Sequence, residues 1–236
     1  MRIAIISDVH ANFPALRAFS ETWDELWVIG DLVNYGPNPN EVIDWVQTHA
    51  HCVVRGNHDH AIGFSTDPRC SAPYRAMASE TGAFTNKVLS EQSKRYLERL
   101  PLTVERRLRE HTFYLVHATP SDPLFGYLDK DAPQWDDEVR ATGANIVVTG
   151  HTHVPFIRTV DNQTLINPGS IGQPKTGTPD ACYAIWEDGS LELRRYAYPV
   201  ADTESEIRAM PISESVKADL IQSLRTGGVS AKQVSG

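Results

Sequence analysis

Five short apolar runs in this chain each stop in an aspartate or a histidine, and that pattern constrains both the fold and the chemistry. Ile3-Ala4-Ile5-Ile6 runs into Asp8-Val9-His10, and Leu26-Trp27-Val28-Ile29 into Gly30-Asp31. Cys52-Val53-Val54 leads to Gly56-Asn57-His58-Asp59. Residues 112–116 end at His117, and Ile146-Val147-Val148-Thr149 ends at Gly150-His151-Thr152-His153. Runs this short and this apolar read as buried strands. Between the first three lie helical patterns, one from Pro14 to about Thr22 and one over residues 41–48. Strand, helix, strand, helix, strand in sixty residues implies a parallel sheet with right-handed crossovers. Ligands in such sheets collect beyond the carboxyl ends of the strands, where Asp8, His10, Asp31 and Asn57 lie. Side chains alternate along an extended chain, so Asp8 and His10 are expected to point the same way.

The rest of the chain fills out an α/β domain. Residues 60–72 read as loop, and residues 73–100 as two helices broken near Ser90, a good N-cap, with Pro101 as a stop. Residues 103–108 and 112–116 read as strands, 119–131 as a Pro- and Asp-containing loop, and 135–141 as a helix. Residues 156–160, 164–166, 183–186 and 191–198 look like strands of a more antiparallel second half. Asp161-Asn162 and Asp188-Gly189 are hairpin turns. Two helices, 204–210 and 214–225, follow, and the chain is expected to fray through Gly227-Gly228. The expected organisation is one domain over 1–200, with a helical insertion at 60–102 beside the site and a helical tail at 201–236.

Composition narrows the function classes. A formal net charge of -8 leaves no broad basic surface for a polyanion, so nucleic acid is disfavoured as a partner and a nuclease reading with it. An anionic substrate would need local positive charge, and bound metal is one source. Three cysteines without a C-x-x-C pair argue against a disulfide scaffold or zinc ribbon. The first apolar run is too short for a signal peptide, and no segment approaches the ~18 apolar residues of a membrane span. A soluble, cytoplasmic protein is expected, with homo-oligomerisation left open.

The strand-end residues Asp8, His10, Asp31, Asn57, His117, His151 and His153 combine carboxylate, imidazole and amide oxygen, a donor set suited to first-row transition metals. Seven ligands exceed one site and suit two sites sharing a carboxylate. Asp31, alone at its strand end between the pairs, is the choice for the bridge. Two divalent ions against two aspartates keep a net positive charge that attracts phosphate. A pair about 3.5–4 Å apart clamps in-line displacement at phosphorus and lowers a water's pKa to about 7.

These five motifs, in this order over residues 1–153, resemble the signature of the calcineurin-like metallophosphoesterases. Through the loop 167–173 the resemblance extends to about residue 198 and to the small bacterial phosphodiesterase-like branch. It implies a four-layer α/β/β/α sandwich with a dinuclear centre of manganese, iron, zinc or nickel. It also implies hydrolysis of a small phosphodiester or nucleotide-type ester by a metal-bound hydroxide. By the same resemblance Asp8, His10, Asp31 and His153 hold one metal, Asp31, Asn57, His117 and His151 the other. His58 protonates the leaving group.

The chain departs from the protein-phosphatase branch, where Asp-Arg-Gly follows the Gly-Asp motif; here Asn34-Tyr35-Gly36 stands in that place. That weakens a phosphomonoesterase or protein-phosphatase reading and leaves Asn34 or Asp59 to accept the His58 hydrogen bond. A non-catalytic metal-binding scaffold is the remaining alternative, disfavoured by the complete ligand set. Arg55 and Lys175 are the candidates for contacting phosphate oxygens. His49, His51, His60 and His111 fit no ligand spacing, and Phe125 and Tyr127 either line a pocket or pack their loop.

Overall fold

The computed structural model describes residues 1–228. The chain opens with β1 (Arg2–Ile6), α1 (Phe13–Arg17), β2 (Glu25–Val28), α2 (Pro39–His49), β3 (Cys52–Val53) and α3 (Asn57–Phe64). A short 3-10 turn over Ala72–Tyr74 precedes α4 (Arg75–Val88) and α5 (Glu91–Arg99). The second half runs β4 (Thr103–Leu108), β5 (His111–Val116), α6 (Trp135–Thr142), β6 (Ile146–Val148), β7 (Phe156–Val160) and β8 (Gln163–Asn167). It closes with β9 (Ala181–Glu187), β10 (Ser190–Tyr196), α7 (Val200–Ala209) and α8 (Glu214–Thr226).

Two five-stranded sheets result, in the orders β10-β9-β1-β2-β3 and β4-β5-β6-β8-β7. β1, β2 and β3 are parallel, as the βαβ series requires, and β9 pairs antiparallel on the free side of β1. The second sheet is mixed: β5, β6 and β8 are parallel, with β4 and β7 antiparallel at its edges. The hairpin turns expected at Asp161 and Asp188-Gly189 are present, with positive φ at all three residues.

Alternation along each strand builds the layers. Ile3, Ile5, Trp27 and Ile29 face the second sheet and meet Phe113, Leu115, Ile146, Val148 and Ile166 in the inter-sheet core. Ala4, Ile6, Leu26 and Val28 face the other way, onto Leu16, Val42, Ile43 and Leu97 of the helices. On the outer face of the second sheet, Val147 and Leu165 pack on Trp135 and Val139 of α6. The architecture is thus α/β/β/α. Each large side chain in these cores contributes about 1.5–3 kcal/mol.

Three sequence expectations need correction. The first helix stops at Arg17, not near Thr22, because the Ala18 and Phe19 N–H groups bond back to Pro14 and Leu16 and tighten the turn. This swings the Phe19 ring onto Trp23 and Tyr183. Residues 60–64 are helix rather than loop, since Asp59 caps the Gly56 N–H and Ile62 is buried. The chain does not fray at Gly227: this residue ends α8 in a left-handed cap, and the Gly228 N–H bonds to the Ser223 carbonyl. Residues 229–236 of the expected tail lie outside the described residues. Ser90 caps α5 as expected. α7 and α8 bury Ile207, Met210, Leu220 and Leu224 against Met77 and Ala78 of α4 and the ring of Tyr35.

The loop after β8 threads against the end of β1, where Ile171 and Gly172 donate to the Ser7 and Asp8 carbonyls. A Cβ on Gly172 would lie 1.8 Å from the Val9 carbonyl oxygen, so the two backbones meet only through glycine. Gly172→Ala is therefore expected to lower unfolding stability by about 2–3 kcal/mol in denaturant titration; an unchanged midpoint would contradict the close approach.

Candidate metal centre and active-site cleft

All seven strand-end residues converge at one edge of the two sheets. Asp8, His10 and His153 form one group and Asp31, His117 and His151 another, the donor atoms of each lying within 4.8 Å of one another. In the first, His153 Nε2 is 3.3 Å from Asp8 Oδ1 and 3.1 Å from His10 Nε2. In the second, His117 Nε2 is 3.2 Å from Asp31 Oδ2, 3.2 Å from His151 Nδ1 and 3.1 Å from Asn57 Oδ1. Asp31 Oδ2 also lies 3.8 Å from His10 Nε2, so a single oxygen reaches both groups.

The convergence does not come from strand alternation. Asp8, His10, Asp31, His151 and His153 all have left-handed backbones, with φ between 47° and 66°. Asp8 and His10 thus meet by a tight left-handed excursion past the end of β1, not by sharing a strand face. Such conformations are costly for non-glycine residues and concentrate where a site demands them.

All of these donors except His151 have one side fixed by the protein and the other turned toward the cluster. Asp8 Oδ2 accepts from the Ser7 hydroxyl at 2.6 Å and the His151 N–H at 3.1 Å, while its Oδ1 is buried with no hydrogen-bond donor. Asp31 Oδ1 accepts from the His58 N–H at 2.9 Å, near the start of α3. His10, His117 and His153 each present Nδ1 to a carbonyl, of Val33, Ile29 and Gln173 at 3.1, 2.7 and 2.6 Å. That turns Nε2 inward, where each ring offers a lone pair when neutral, the arrangement metal-binding histidines use. The Asn57 amide nitrogen donates to Pro68, turning its oxygen toward His117. An orphaned carboxylate oxygen among inward lone pairs is a fit for cations.

The electrostatics agree. Burial pulls His10 and His151 down to about 3, so both rings are neutral. Burial also opposes charge on His117, but the Asp31 carboxylate outweighs it and raises His117 to about 10. In the bare site His117 carries a proton that partly balances the aspartates.

His58 stands beside this cluster without joining either group. Its Nδ1 lies 2.8 Å from the Asn34 carboxamide and its Nε2 3.3 Å from the Cys70 thiol. Burial is the main influence lowering its pKa. Asp59 is not its partner: both Asp59 oxygens are taken by backbone N–H groups, of Asp31 and Gly56 on one and Leu32 on the other. The Tyr35 ring packs against both His10 and His58, with centroids 4.8 Å from each.

A cleft of about 190 Å³ opens over the cluster, lined among others by Asn57, His58, Arg69, Cys70, Tyr74, Tyr127 and Lys175. Lys175 lines the cleft. Arg55 does not: its guanidinium turns away to the Glu98 carbonyl at 3.1 Å and the Phe64 ring. Phe125 and Tyr127 also line it, Tyr127 with its ring edge toward His151. Cys70 and Arg69 were missed because a loop residue's reach cannot be read from spacing. No helix among the described residues is long and apolar enough to cross a membrane.

Comparison with known proteins identifies the family. Residues 1–188 match the calcineurin-like phosphoesterase superfamily domain. The chain belongs to that superfamily. It is 30% identical over 228 residues to an uncharacterised protein of Methanocaldococcus jannaschii, covering 87% of this chain and 91% of that protein. It is 26% identical over 211 residues to phosphodiesterase YfcE of Escherichia coli, covering 82% and 91%. The crystal structure of a metallophosphoesterase from Sphaerobacter thermophilus superposes with a TM-score of 0.80 at 32% identity, covering 96% of this chain and 99% of that one.

Asp59 ties the loop after β2 to the loop after β3 through its three N–H contacts. Asp59→Ala strands three buried donors, so a loss of about 3 kcal/mol is expected in equilibrium unfolding. A loss below about 1 kcal/mol would show that the clasp is replaceable.

Proposed function

We propose that this chain is a dinuclear-metal phosphoesterase acting on phosphodiester or nucleotide-type phosphate esters. One observation carries the reading: two neighbouring sets of inward lone pairs meet at a single Asp31 oxygen. Asp8, His10, Asp31 and His153 would hold one ion, and Asp31, Asn57, His117 and His151 the other. When bound, the pair supplies Lewis-acid charge for the phosphoryl oxygens and a water acidified enough to act as nucleophile near neutral pH.

The protein's own residues do the rest. His58 lines the cleft outside both ligand sets, placed to hand a proton from Nε2 to the departing oxygen. Asn34 holds its Nδ1 and serves both states of the ring, its amide nitrogen toward the neutral imidazole or its oxygen toward the imidazolium. Tyr35 fills the place of the phosphate-gripping arginine of protein phosphatases, and its ring is packed against two histidines. That favours a diester or nucleotide-type ester over a phosphoprotein, in keeping with the E. coli relative named a phosphodiesterase.

Manganese-loaded protein is expected to hydrolyse bis(4-nitrophenyl) phosphate. His58→Ala should lower kcat by about 10²–10⁴-fold with little change in metal content, as for loss of a general acid. Asp31→Asn should lose both activity and bound metal. Wild-type rates in both variants would overturn the assignment.

Metal loading also has a proton signature. The folded, bare protein holds a proton on His117 up to about pH 10, and a ligating imidazole must be neutral. Loading at pH 8 should therefore release about one proton from this group, read as a buffer-dependent calorimetric heat. Affinity should rise with pH across that range. Equal heats in buffers of different ionisation enthalpy would show that His117 carries no extra proton in the bare protein at that pH.

A further inference from the structure

Arg69 and Lys175 line the cleft, and neither pairs with a carboxylate among the described residues. Each is instead laid on an aromatic ring. The Arg69 guanidinium carbon lies 4.2 Å from the Phe125 ring centroid, and the Lys175 ammonium 4.3 Å from that of Tyr74. A ring face holds a cation in place without neutralising it or occupying all its N–H donors. The nearest acid in sequence, Asp67, spends one oxygen on the Arg69 backbone N–H at 2.7 Å rather than on its side chain. The Arg69 backbone is itself left-handed, with φ 57°, a strained conformation that sets where the side chain departs.

Charge then limits what fits. With two divalent ions held, Asp8 and Asp31 leave the centre net positive, and a simple phosphodiester brings one negative charge on one phosphate. Arg69 and Lys175 would remain unanswered in a small cleft. A phosphate joined to the scissile one would answer them through charge-assisted hydrogen bonds. We infer that the cleft is built for di- or polyphosphate esters, with Arg69 and Lys175 gripping the phosphate beside the one that is attacked.

The inference rests on the phosphoesterase reading, and one set of preparations separates the two. Calorimetry on manganese-loaded protein compares α,β-methylene-ADP, which resists hydrolysis between its phosphates, with AMP. The wild type is expected to bind the diphosphate about tenfold more tightly. Arg69→Gln and Lys175→Gln should each shrink that preference by about threefold or more, and the double variant should abolish it. Arg109→Gln, in the turn at the far end of β5 from His117, should leave the preference intact. A wild type without preference, or a double variant that keeps it, overturns the inference. Hydrolysis of bis(4-nitrophenyl) phosphate by the same wild-type sample reports separately: its presence beside an absent preference condemns only the diphosphate grip, and its absence condemns the phosphoesterase reading itself.

Discussion

The Asp31 carboxylate is the contact on which the rest is arranged. One oxygen is fixed by the N–H of His58, and the other reaches both His/Asp groups. Holding it there requires the chain after β3 to pass very near. A Cβ on Gly56 would sit 2.0 Å from Asp31 Oδ1, so only glycine admits the approach. Asp59 then clasps the Asp31 and Leu32 N–H groups from behind. An anion is thus bound at one end by backbone dipoles while its other end stays available. The same division recurs at Asp8, where Ser7 and the His151 N–H take one oxygen and leave the other bare.

Sheet geometry brings these parts together, and local strain aims them. β1, β2 and β3 end side by side, and β5 and β6 end opposite them across the inter-sheet core. Each strand delivers its residue to the same edge. The left-handed turns at Asp8, His10, Asp31, His151 and His153 then bend the donors inward. The buried apolar layers on both sides of each sheet keep these turns in place against their intrinsic preference.

Strand positions and the candidate site residues were legible because buried strands announce themselves as short apolar runs, and Asp, Asn and His at their ends are unusual. What was not legible has identifiable causes. The reach of α3 depended on Asp59 acting as a helix cap, a role that its place at the end of the Gly56-Asn57-His58-Asp59 motif does not reveal. The common direction of Asp8 and His10 was anticipated for the wrong reason, since backbone φ at a strand end follows tertiary demand and not alternation. Arg55 and Lys175 looked alike as isolated cations. Packing sent one to the carboxyl end of α5 and the other into the cleft. Arg69 and Cys70 lie in a stretch with no periodicity, where sequence gives no distance to His58.

The position of β1 has a consequence for how the molecule comes into being. β1 lies in the middle of its sheet, between β2, which follows it closely in the chain, and β9, which does not. Its antiparallel neighbour begins at Ala181, and the edge it leaves open cannot be covered until most of the chain has been synthesised. Closing so long a loop is entropically demanding and slows folding. In any nascent βαβ half one side of β1 is left unpaired, and an open strand edge is a place where a chaperone or a misdirected strand can act.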